Sequence, residues 1–181
     1  KNTIVHESAT NEGIKTRASC ASLLIQKVLS YGNKGDGIQL GGYGTHVNHQ
    51  IEDSEFYDND DRGIFLDTIS NCTLLRSKAY GNLSTVGNWD QGGVILKNSN
   101  GTSLQDVEAY GNVGVGINIY KENYAGTTAS TVSGVTKSYN NTADASYTPG
   151  DGIRVYLSRS VALNGVESYG NARHGVCVGS I

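Results

Sequence analysis

Residues 108–119 read Glu108-Ala109-Tyr110-Gly111-Asn112-Val113-Gly114-Val115-Gly116-Ile117-Asn118-Ile119, and degraded copies of this phrase recur along the chain. The copies share a Tyr-x-Asn core that begins at Tyr31, Tyr57, Tyr80, Tyr110, Tyr139 and Tyr169, with a fainter N-terminal copy at Asn11. Each copy is followed by glycine and a β-branched residue, with the glycines at Gly13, Gly37, Gly63, Gly93, Gly116, Gly152 and Gly175. Self-similarity at such intervals is typical of repeat proteins, so we interpret the chain as seven copies of one unit.

The composition narrows the class of protein. The 181 residues include 24 glycines, one proline and no methionine, and no stretch has the pattern of a long amphipathic helix. The net charge of −3 is spread without a basic run, which argues against a nucleic-acid partner. No apolar run is long enough to span a membrane. Cys20, Cys72 and Cys177 lie at different phases of the repeat, so a stacked disulfide is not expected and at least one thiol stays free.

Short alternating runs within each copy predict half-buried strands. After the glycine, apolar residues alternate with polar or aromatic ones, which gives the inward pairs Ile38/Leu40, Ile64/Leu66, Val94/Leu96, Ile117/Ile119, Ile153/Val155 and Val176/Val178. Positions six and three residues before each tyrosine are mostly apolar or small, Ser133 being the first of these in the Tyr139 copy. The pattern predicts an all-β fold, a right-handed parallel β-helix of about seven coils that forms a single domain over residues 1–181.

Columns of equivalent residues test this register. Two residues before each tyrosine stand Leu29, Glu55, Lys78, Glu108, Lys137 and Glu167, so charges of opposite sign alternate from Glu55 onward. Such alternation favours neighbouring parallel strands on a solvated face. We expect the tyrosines to stack, and the asparagines to bond to one another and to adopt the left-handed backbone of a tight bend. Both columns are therefore interpreted as structural.

Departures from the repeat predict a groove. The spacing from asparagine to glycine is four residues after Asn33, Asn59, Asn112 and Asn171 but eleven after Asn82 and Asn141. Residues 83–92 and 142–151 should therefore leave the solenoid at the same corner, and residues 41–46 and 120–130 are expanded on the other side. Because insertions in repeat proteins gather on one face, which is often the binding face, the sheet between them is predicted to be the floor of a groove.

The outward positions of this sheet supply the candidate site residues. The first row is Lys15, Gln39, Phe65, Ile95, Asn118, Arg154 and Cys177, and the second is Asp67, Lys97, Tyr120 and Tyr156. Aromatics beside hydrogen-bonding groups suit a sugar chain, and the cations suit one that carries carboxylates. We predict Tyr120, Arg154, Lys97 and Asp67 as catalytic, and Phe65, Asn118, Tyr156, Gln39, Lys121 and His174 as substrate-binding. An ordinary solvated sheet face is the alternative.

Metal binding has weaker signals. His46, His49 and His174 are too scattered along the chain for metal-ligand spacing and are interpreted as surface histidines. Asp58, Asp60 and Asp61 form an acidic run that could hold Ca²⁺, although a polar turn explains it as well. No other cofactor is expected.

These phrases resemble the pectate-lyase-like β-helix superfamily of polysaccharide lyases and mannuronan C5-epimerases, over essentially the whole chain. Gly37-Ile38-Gln39-Leu40-Gly41-Gly42 looks like the segment of lysine-base pectate lyases that carries the catalytic lysine, and here that position holds Gln39. Asn171-Ala172-Arg173-His174-Gly175 resembles a stretch of the epimerases whose histidine lies in the active site, which matches His174. The Asp-Pro-His-Glu motif of the epimerases is absent from this chain. The resemblance implies a secreted or cell-surface protein with a polysaccharide partner.

Three functions remain open at this point. The first is proton abstraction at C5 of a uronate, for which Arg154 and Lys97 could neutralise the carboxylate and Tyr120 or Lys97 could act as the base. The second is a non-catalytic polysaccharide-binding or adhesive solenoid, such as part of a phage tailspike or cell-surface protein. The third is a glycoside hydrolase, in which Asp67 would pair with Asp90, Asp151 or Glu122. We expect the chain to be a piece of a longer protein, with further domains or a homo-oligomer covering its open ends.

Overall fold

In the computed structural model, which describes residues 3–83, 90–121, 128–143 and 149–179, the chain coils into a three-sided parallel solenoid. Seven strands form the first sheet, six the second and eight the third, in which seven strands stack and one short strand lies off their path. Every regular element of the described ranges is a strand. The all-β parallel solenoid predicted from the repeat is confirmed, with six complete turns and a partial one.

Each sheet takes one strand from each coil. The first sheet contains β1 (Thr3–His6), β5 (Val28–Tyr31), β8 (Glu55–Tyr57), β11 (Lys78–Tyr80), β14 (Glu108–Tyr110), β17 (Lys137–Tyr139) and β20 (Glu167–Tyr169). The second contains β4 (Leu24–Gln26), β7 (Gln50–Glu52), β10 (Thr73–Leu75), β13 (Ser103–Gln105), β16 (Ser130–Ser133) and β19 (Val161–Leu163). The third contains β2 (Ile14–Lys15), β6 (Ile38–Val47), β9 (Ile64–Ser70), β12 (Gly92–Lys97), β15 (Val115–Tyr120), β18 (Ile153–Tyr156) and β21 (Val176–Gly179), and β3 (Cys20–Ala21) pairs with β6.

The core is a column of aliphatic side chains inside the coils. The inward pairs from Ile38/Leu40 to Ile153/Val155 are buried, but Val176 and Val178 are 45% and 73% exposed because β21 is the last strand of its sheet. In the second sheet Leu104 pairs with Val132, so Val132 and not Ser133 faces the core. The prediction for Ser133 was wrong because this coil has one additional residue in the turn before its tyrosine strand.

The tyrosine and asparagine columns have the structural roles predicted for them. Successive rings from Tyr31 to Tyr169 stack with centroids 4.8–5.0 Å apart. Each buried asparagine amide donates to the carboxamide oxygen of the next, as Asn82 does to Asn112 at 2.8 Å. The charge column also has the predicted register, with ion pairs Lys78–Glu108 at 3.3 Å and Lys137–Glu167 at 3.1 Å.

Two details of these columns differ from the prediction. The left-handed residue is the one between tyrosine and asparagine, for example Asp58 (φ 51°) and Gly81 (φ 64°). In the N-terminal copy His6 pairs with Tyr31 and stacks on its ring, so the asparagine position is occupied by Ser8 and not by Asn11. An extra residue before Gly13 obscured this alignment.

Candidate functional site

The outer face of the third sheet has the register that the repeat predicted. Cα pairing joins Lys15, Gln39, Phe65, Ile95, Asn118, Arg154 and Cys177 in one row. A second row joins Asp67, Lys97, Tyr120 and Tyr156. These eleven residues therefore share one face, and the solenoid itself places them there.

The middle of the first row is buried. Phe65, Ile95, Asn118 and Arg154 are 4%, 0%, 1% and 5% exposed, so the floor at these positions is covered. Neither an open groove floor nor an ordinary solvated sheet face describes it. The expansions predicted at residues 83–92, 120–130 and 142–151 fall largely outside the described residues, as does Glu122.

The second row is half-exposed and carries most of the accessible predicted residues. The rings of Tyr120 and Tyr156 stack with centroids 6.0 Å apart. The Lys121 ammonium lies 5.2 Å from the Tyr120 centroid, and the Arg154 guanidinium lies 4.8 Å from that of Tyr156. This pair of rings flanked by cations is suited to contact a sugar ring and a carboxylate.

Asp67 stands apart from the other carboxylates proposed for hydrolysis. Its Oδ1 accepts hydrogen bonds from Thr68 at 2.9 Å and Asn98 at 3.4 Å. Three strand spacings separate β9 from β18, which amounts to about 14 Å, so Asp151 is too far away to form a glycosidase pair with Asp67. Asp90 binds the Lys97 ammonium at 2.7 Å.

A first ionic cluster lies at the corner beside Phe65, and we name it the Arg62 cluster (Asp36, Asp61, Arg62, Asp90 and Lys97). Arg62 donates from Nε to Asp36 at 2.8 Å and from Nη2 to Asp61 at 3.3 Å, and its Nη1 lies 3.8 Å from Asp90. The guanidinium covers the Phe65 ring at 3.7 Å. The predicted residues Phe65 and Lys97 therefore belong to this cluster, with Gln39 on the adjacent strand.

Burial perturbs the carboxyl groups of the Arg62 cluster. It raises the pKa of Asp36 to about 6, against the opposing effect of the Arg62 charge. Burial also raises the pKa of Asp61. No sequence pattern indicated this arrangement, since Asp36 and Arg62 belong to no recognised motif and Asp61 is part of the acidic run considered for Ca²⁺. In the structure Asp60 instead pairs with Lys34, so the acidic run does not converge on a common point.

A second cluster lies on the last two coils, and we name it the His174 cluster (Asp151, Arg173, His174 and Cys177). Asp151 is fully buried and accepts hydrogen bonds from Arg173 Nε at 2.8 Å and Nη2 at 2.6 Å. His174 Nδ1 lies 2.9 Å from Asp151 Oδ1, and the His174 backbone N–H donates to the same oxygen at 3.2 Å. Cys177 is the strand partner of Arg154 and brings its thiol to this corner.

Hydrogen bonding decides the ionisation of this cluster. Burial alone would raise the pKa of Asp151, but hydrogen bonds from Arg173 and His174 outweigh it and hold the pKa below its usual value. An ionised carboxylate can only accept, so His174 Nδ1 carries the hydrogen and Nε2 keeps its lone pair in the neutral ring. The side chain of His174 is 53% exposed. The cluster therefore presents an oriented base beside arginine.

Sequence reasoning selected His174 but missed its partners. Asp151, Arg173 and Cys177 come from two successive coils, so their spacing along the chain resembles no motif. The available signal was the column of residues that stand directly before the glycine of each coil. In this column Asp36 lies one coil before Arg62, and Asp151 lies one coil before His174. The interpretation of His46 and His49 as surface residues was wrong, because they are 2% and 1% exposed with ring centroids 5.8 Å apart.

The predicted site residues are spread along the third sheet, where Lys97 on β12 pairs with Tyr120 on β15. Phe65, Lys97 and Asp67 lie on β9 and β12, whereas Asn118, Tyr120, Lys121, Arg154, Tyr156 and His174 lie on or beside β15, β18 and β21. Four strand spacings, about 19 Å, separate Phe65 from Cys177. Within the described ranges, no helix is long and apolar enough to cross a membrane.

Comparison with known proteins identifies the fold. A family model described as a right-handed β-helix region matches residues 12–180. The periplasmic alginate epimerase AlgG superposes on 91% of this chain with a TM-score of 0.68 and 17% identity, and the chain spans 38% of its length. The pectate lyase Pel9A superposes on 83% with a TM-score of 0.60 and 16% identity, and the chain spans 40% of its length. No curated protein matches the chain in sequence.

Proposed function

The chain belongs to the right-handed β-helix family, and from this premise we propose that it acts on an acidic, uronate-containing polysaccharide by removing the proton at C5 of a uronate. Lyases and epimerases share this first step. The observation that carries the proposal is the Asp151–His174 hydrogen bond of 2.9 Å beside an exposed arginine. The similarity of fold to an alginate epimerase and a pectate lyase supports the choice of substrate class.

Each residue of the His174 cluster has a role in this reaction. His174 Nε2 takes the C5 proton, and Asp151 fixes the ring and stabilises the imidazolium that forms. Arg173 donates two of its N–H groups to Asp151 and can donate others to the uronate carboxylate. This stabilises the negative charge that builds on the carboxylate as the C5 proton leaves. Arg154, the strand partner of Cys177, is buried against the Tyr156 ring and supports the site from below. Arg173 and His174 thus take the leading roles, ahead of Lys97 and Asp67.

Tyr120 and Tyr156 bind the sugar chain farther along the strands. Their stacked, half-exposed rings lie on β15 and β18. Tyr156 pairs with Gly179, five residues or about 16 Å from His174 along β21. After C5 deprotonation, an epimerase returns a proton to the opposite face, whereas a lyase expels the C4 oxygen and leaves an unsaturated uronate.

The experiment is solvent exchange at C5. Alginate and pectate are incubated with the chain in D₂O, with and without calcium, and deuterium at C5, the ratio of epimers and unsaturated ends are measured by NMR and absorbance. We expect exchange that His174→Gln reduces by at least about 100-fold. His6→Gln is the matched control, because His6 lies on the first strand of another sheet. If His174→Gln exchanges deuterium at C5 as fast as the wild type, His174 is not the base.

Non-catalytic glycan binding is the second candidate, and the tyrosine pair with its flanking cations favours it. Polysaccharide binding without C5 exchange, new reducing ends or unsaturated product supports this function, and Tyr156→Ala should then weaken the binding. An increase in reducing ends without unsaturation would indicate a hydrolase. For all of these functions we propose a periplasmic or secreted location, since AlgG is periplasmic.

A further inference from the structure

We propose that Asp151, His174 and Cys177 form a binding site for a divalent transition metal of the zinc class. Each residue offers one ligand atom, and the three atoms lie within 4.8 Å of one another. Among the residues that the structure describes, no other group of three histidine, cysteine, aspartate or glutamate side chains meets this condition.

The solenoid supplies the convergence. Gly152 N–H donates to the His174 carbonyl oxygen at 2.8 Å, so the residues before the two glycines are neighbours across coils. Cys177 follows three residues later on β21, where it occupies the outward row. Two ligands come from one coil and one from the coil before it, which explains why spacing along the chain concealed the site.

The ligand atoms select the metal. A carboxylate oxygen, an imidazole nitrogen and a thiolate sulfur suit a borderline ion such as Zn²⁺, whereas Ca²⁺ and Mg²⁺ prefer oxygen alone. Zinc bonds of about 2.0–2.3 Å require the ligand atoms to be about 3.5 Å apart in a tetrahedron. The cluster must therefore contract by roughly 1 Å, and three protein ligands leave a fourth position open.

Arg173 holds the metal-free cluster together. Its guanidinium neutralises Asp151, and its side chain is 46% exposed, so it has room to move when a cation arrives. Asp151 is fully buried and accepts hydrogen bonds from Arg173 and His174, which hold its carboxylate at the centre of the cluster. Cysteine binds such metals as the thiolate.

The experiment uses the metal alone. Equilibrium dialysis with Zn²⁺ should give one ion per chain, and Co²⁺ should give a thiolate-to-cobalt absorption band. Cys177→Ser should abolish the band and weaken zinc binding by at least about tenfold, and Asp151→Asn should also weaken it. Cys20→Ser is the matched control, since Cys20 is also half-buried and lies on β3.

Several outcomes would overturn the site. These are zinc binding that is unchanged in Cys177→Ser, a cobalt spectrum without the thiolate band, or an equal loss in Cys20→Ser. Cys177 lies at the edge of the sheet, so the serine variant should keep the fold, which circular dichroism checks. Binding is measured without polysaccharide and does not depend on the proposed function. If His174 is also the base, zinc should inhibit C5 exchange in the wild type.

Discussion

Two aspartates at equivalent positions of different coils have pKa values shifted in opposite directions. Asp36 and Asp151 each precede a Gly-Ile pair and accept a backbone N–H and an arginine Nε. Asp36 shares its arginine with Asp61, and burial dominates, so its pKa rises to about 6. Asp151 receives a second arginine hydrogen bond and the imidazole, so its pKa falls. Burial and the Asp61 charge prevail at Asp36, whereas the hydrogen bonds and the charge of Arg173 prevail at Asp151.

Asp36→Asn should change how stability depends on pH. The pKa of Asp36 is about 6 in the folded chain and near 4 in the unfolded chain, so between these values the folded state binds more protons. Stability from this group is present at low pH and is lost as pH rises from about 4 to about 7, by roughly 2–3 kcal/mol. Asn removes that loss, so the variant should gain stability relative to wild type as pH rises.

Urea unfolding across this range measures the difference between variant and wild type. Asp60→Asn is the control, since its ion pair with Lys34 is on the surface and is worth at most about 1 kcal/mol. Parallel curves for Asp36→Asn and wild type would show that Asp36 is ionised in the folded and unfolded states alike.

At the scale of the element, the asparagine ladder is the part of the fold that joins coil to coil at the first corner. Asn82 donates to the Asn112 side chain at 2.8 Å and to the Phe56 carbonyl oxygen at 3.2 Å. Its own Oδ1 accepts from Asn59 Nδ2 at 2.9 Å and from the Asn59 N–H at 3.2 Å. Both ends of this amide are therefore satisfied within the solenoid.

Asn82→Ala should be strongly destabilising because it leaves donors and acceptors of neighbouring coils buried and unpaired. We expect a loss of roughly 2–5 kcal/mol in the free energy of unfolding. Asn11→Ala is the control, since Asn11 is exposed and its side chain donates to the neighbouring Thr10 hydroxyl at 3.0 Å. An equal loss of unfolding free energy in the two variants would mean that the asparagine ladder does not stabilise the fold.

Elements were the level at which sequence reasoning worked best. The period fixed the outward row from Lys15 to Cys177, because a parallel stack in register repeats every side chain at one phase. It failed where a coil gained a residue, at Ser133 and at Asn11, since a single insertion shifts the alignment of one copy only. The left-handed conformation was predicted at the asparagine, but it occurs at the residue directly before it. The pattern could not distinguish the two positions, because the glycine, aspartate or asparagine found there also tolerates a positive φ.

At the scale of the whole molecule, the site could not be derived from the repeat. Repetition predicts which side chains share a face but not how deeply each is covered, so Asn118 and Arg154 were expected in a groove and are buried. The His174 cluster depends on contacts between Asp151 on one coil and Arg173, His174 and Cys177 on the next. A periodic pattern predicts the features that all coils share, so it cannot predict a cluster that forms between two particular coils.

Coupling between neighbouring coils also sets how stability is distributed along the solenoid. Val94 and Val176 occupy the same inward column, yet Val94 is 0% exposed between β9 and β15, whereas Val176 is 45% exposed on the last strand. Val94→Ala removes two methyl groups from a packed interior and should cost roughly 2–3 kcal/mol. Val176→Ala should cost less than about 1 kcal/mol, because its methyl groups contact one neighbouring coil only.

Urea unfolding of the two valine variants tests this distribution, with hydrogen exchange to locate it. Exchange in Val176→Ala should accelerate in β18 and β21 alone, whereas Val94→Ala should accelerate it in coils on both sides of β12. Equal unfolding costs, or exchange that rises uniformly in both variants, would mean that the coils unfold as one cooperative unit. In that case a substitution in the Arg62 cluster would be felt at the His174 cluster, although two strand spacings, about 10 Å, lie between β12 and β18. Local unfolding keeps the two clusters independent, so each can be tested without disturbing the other.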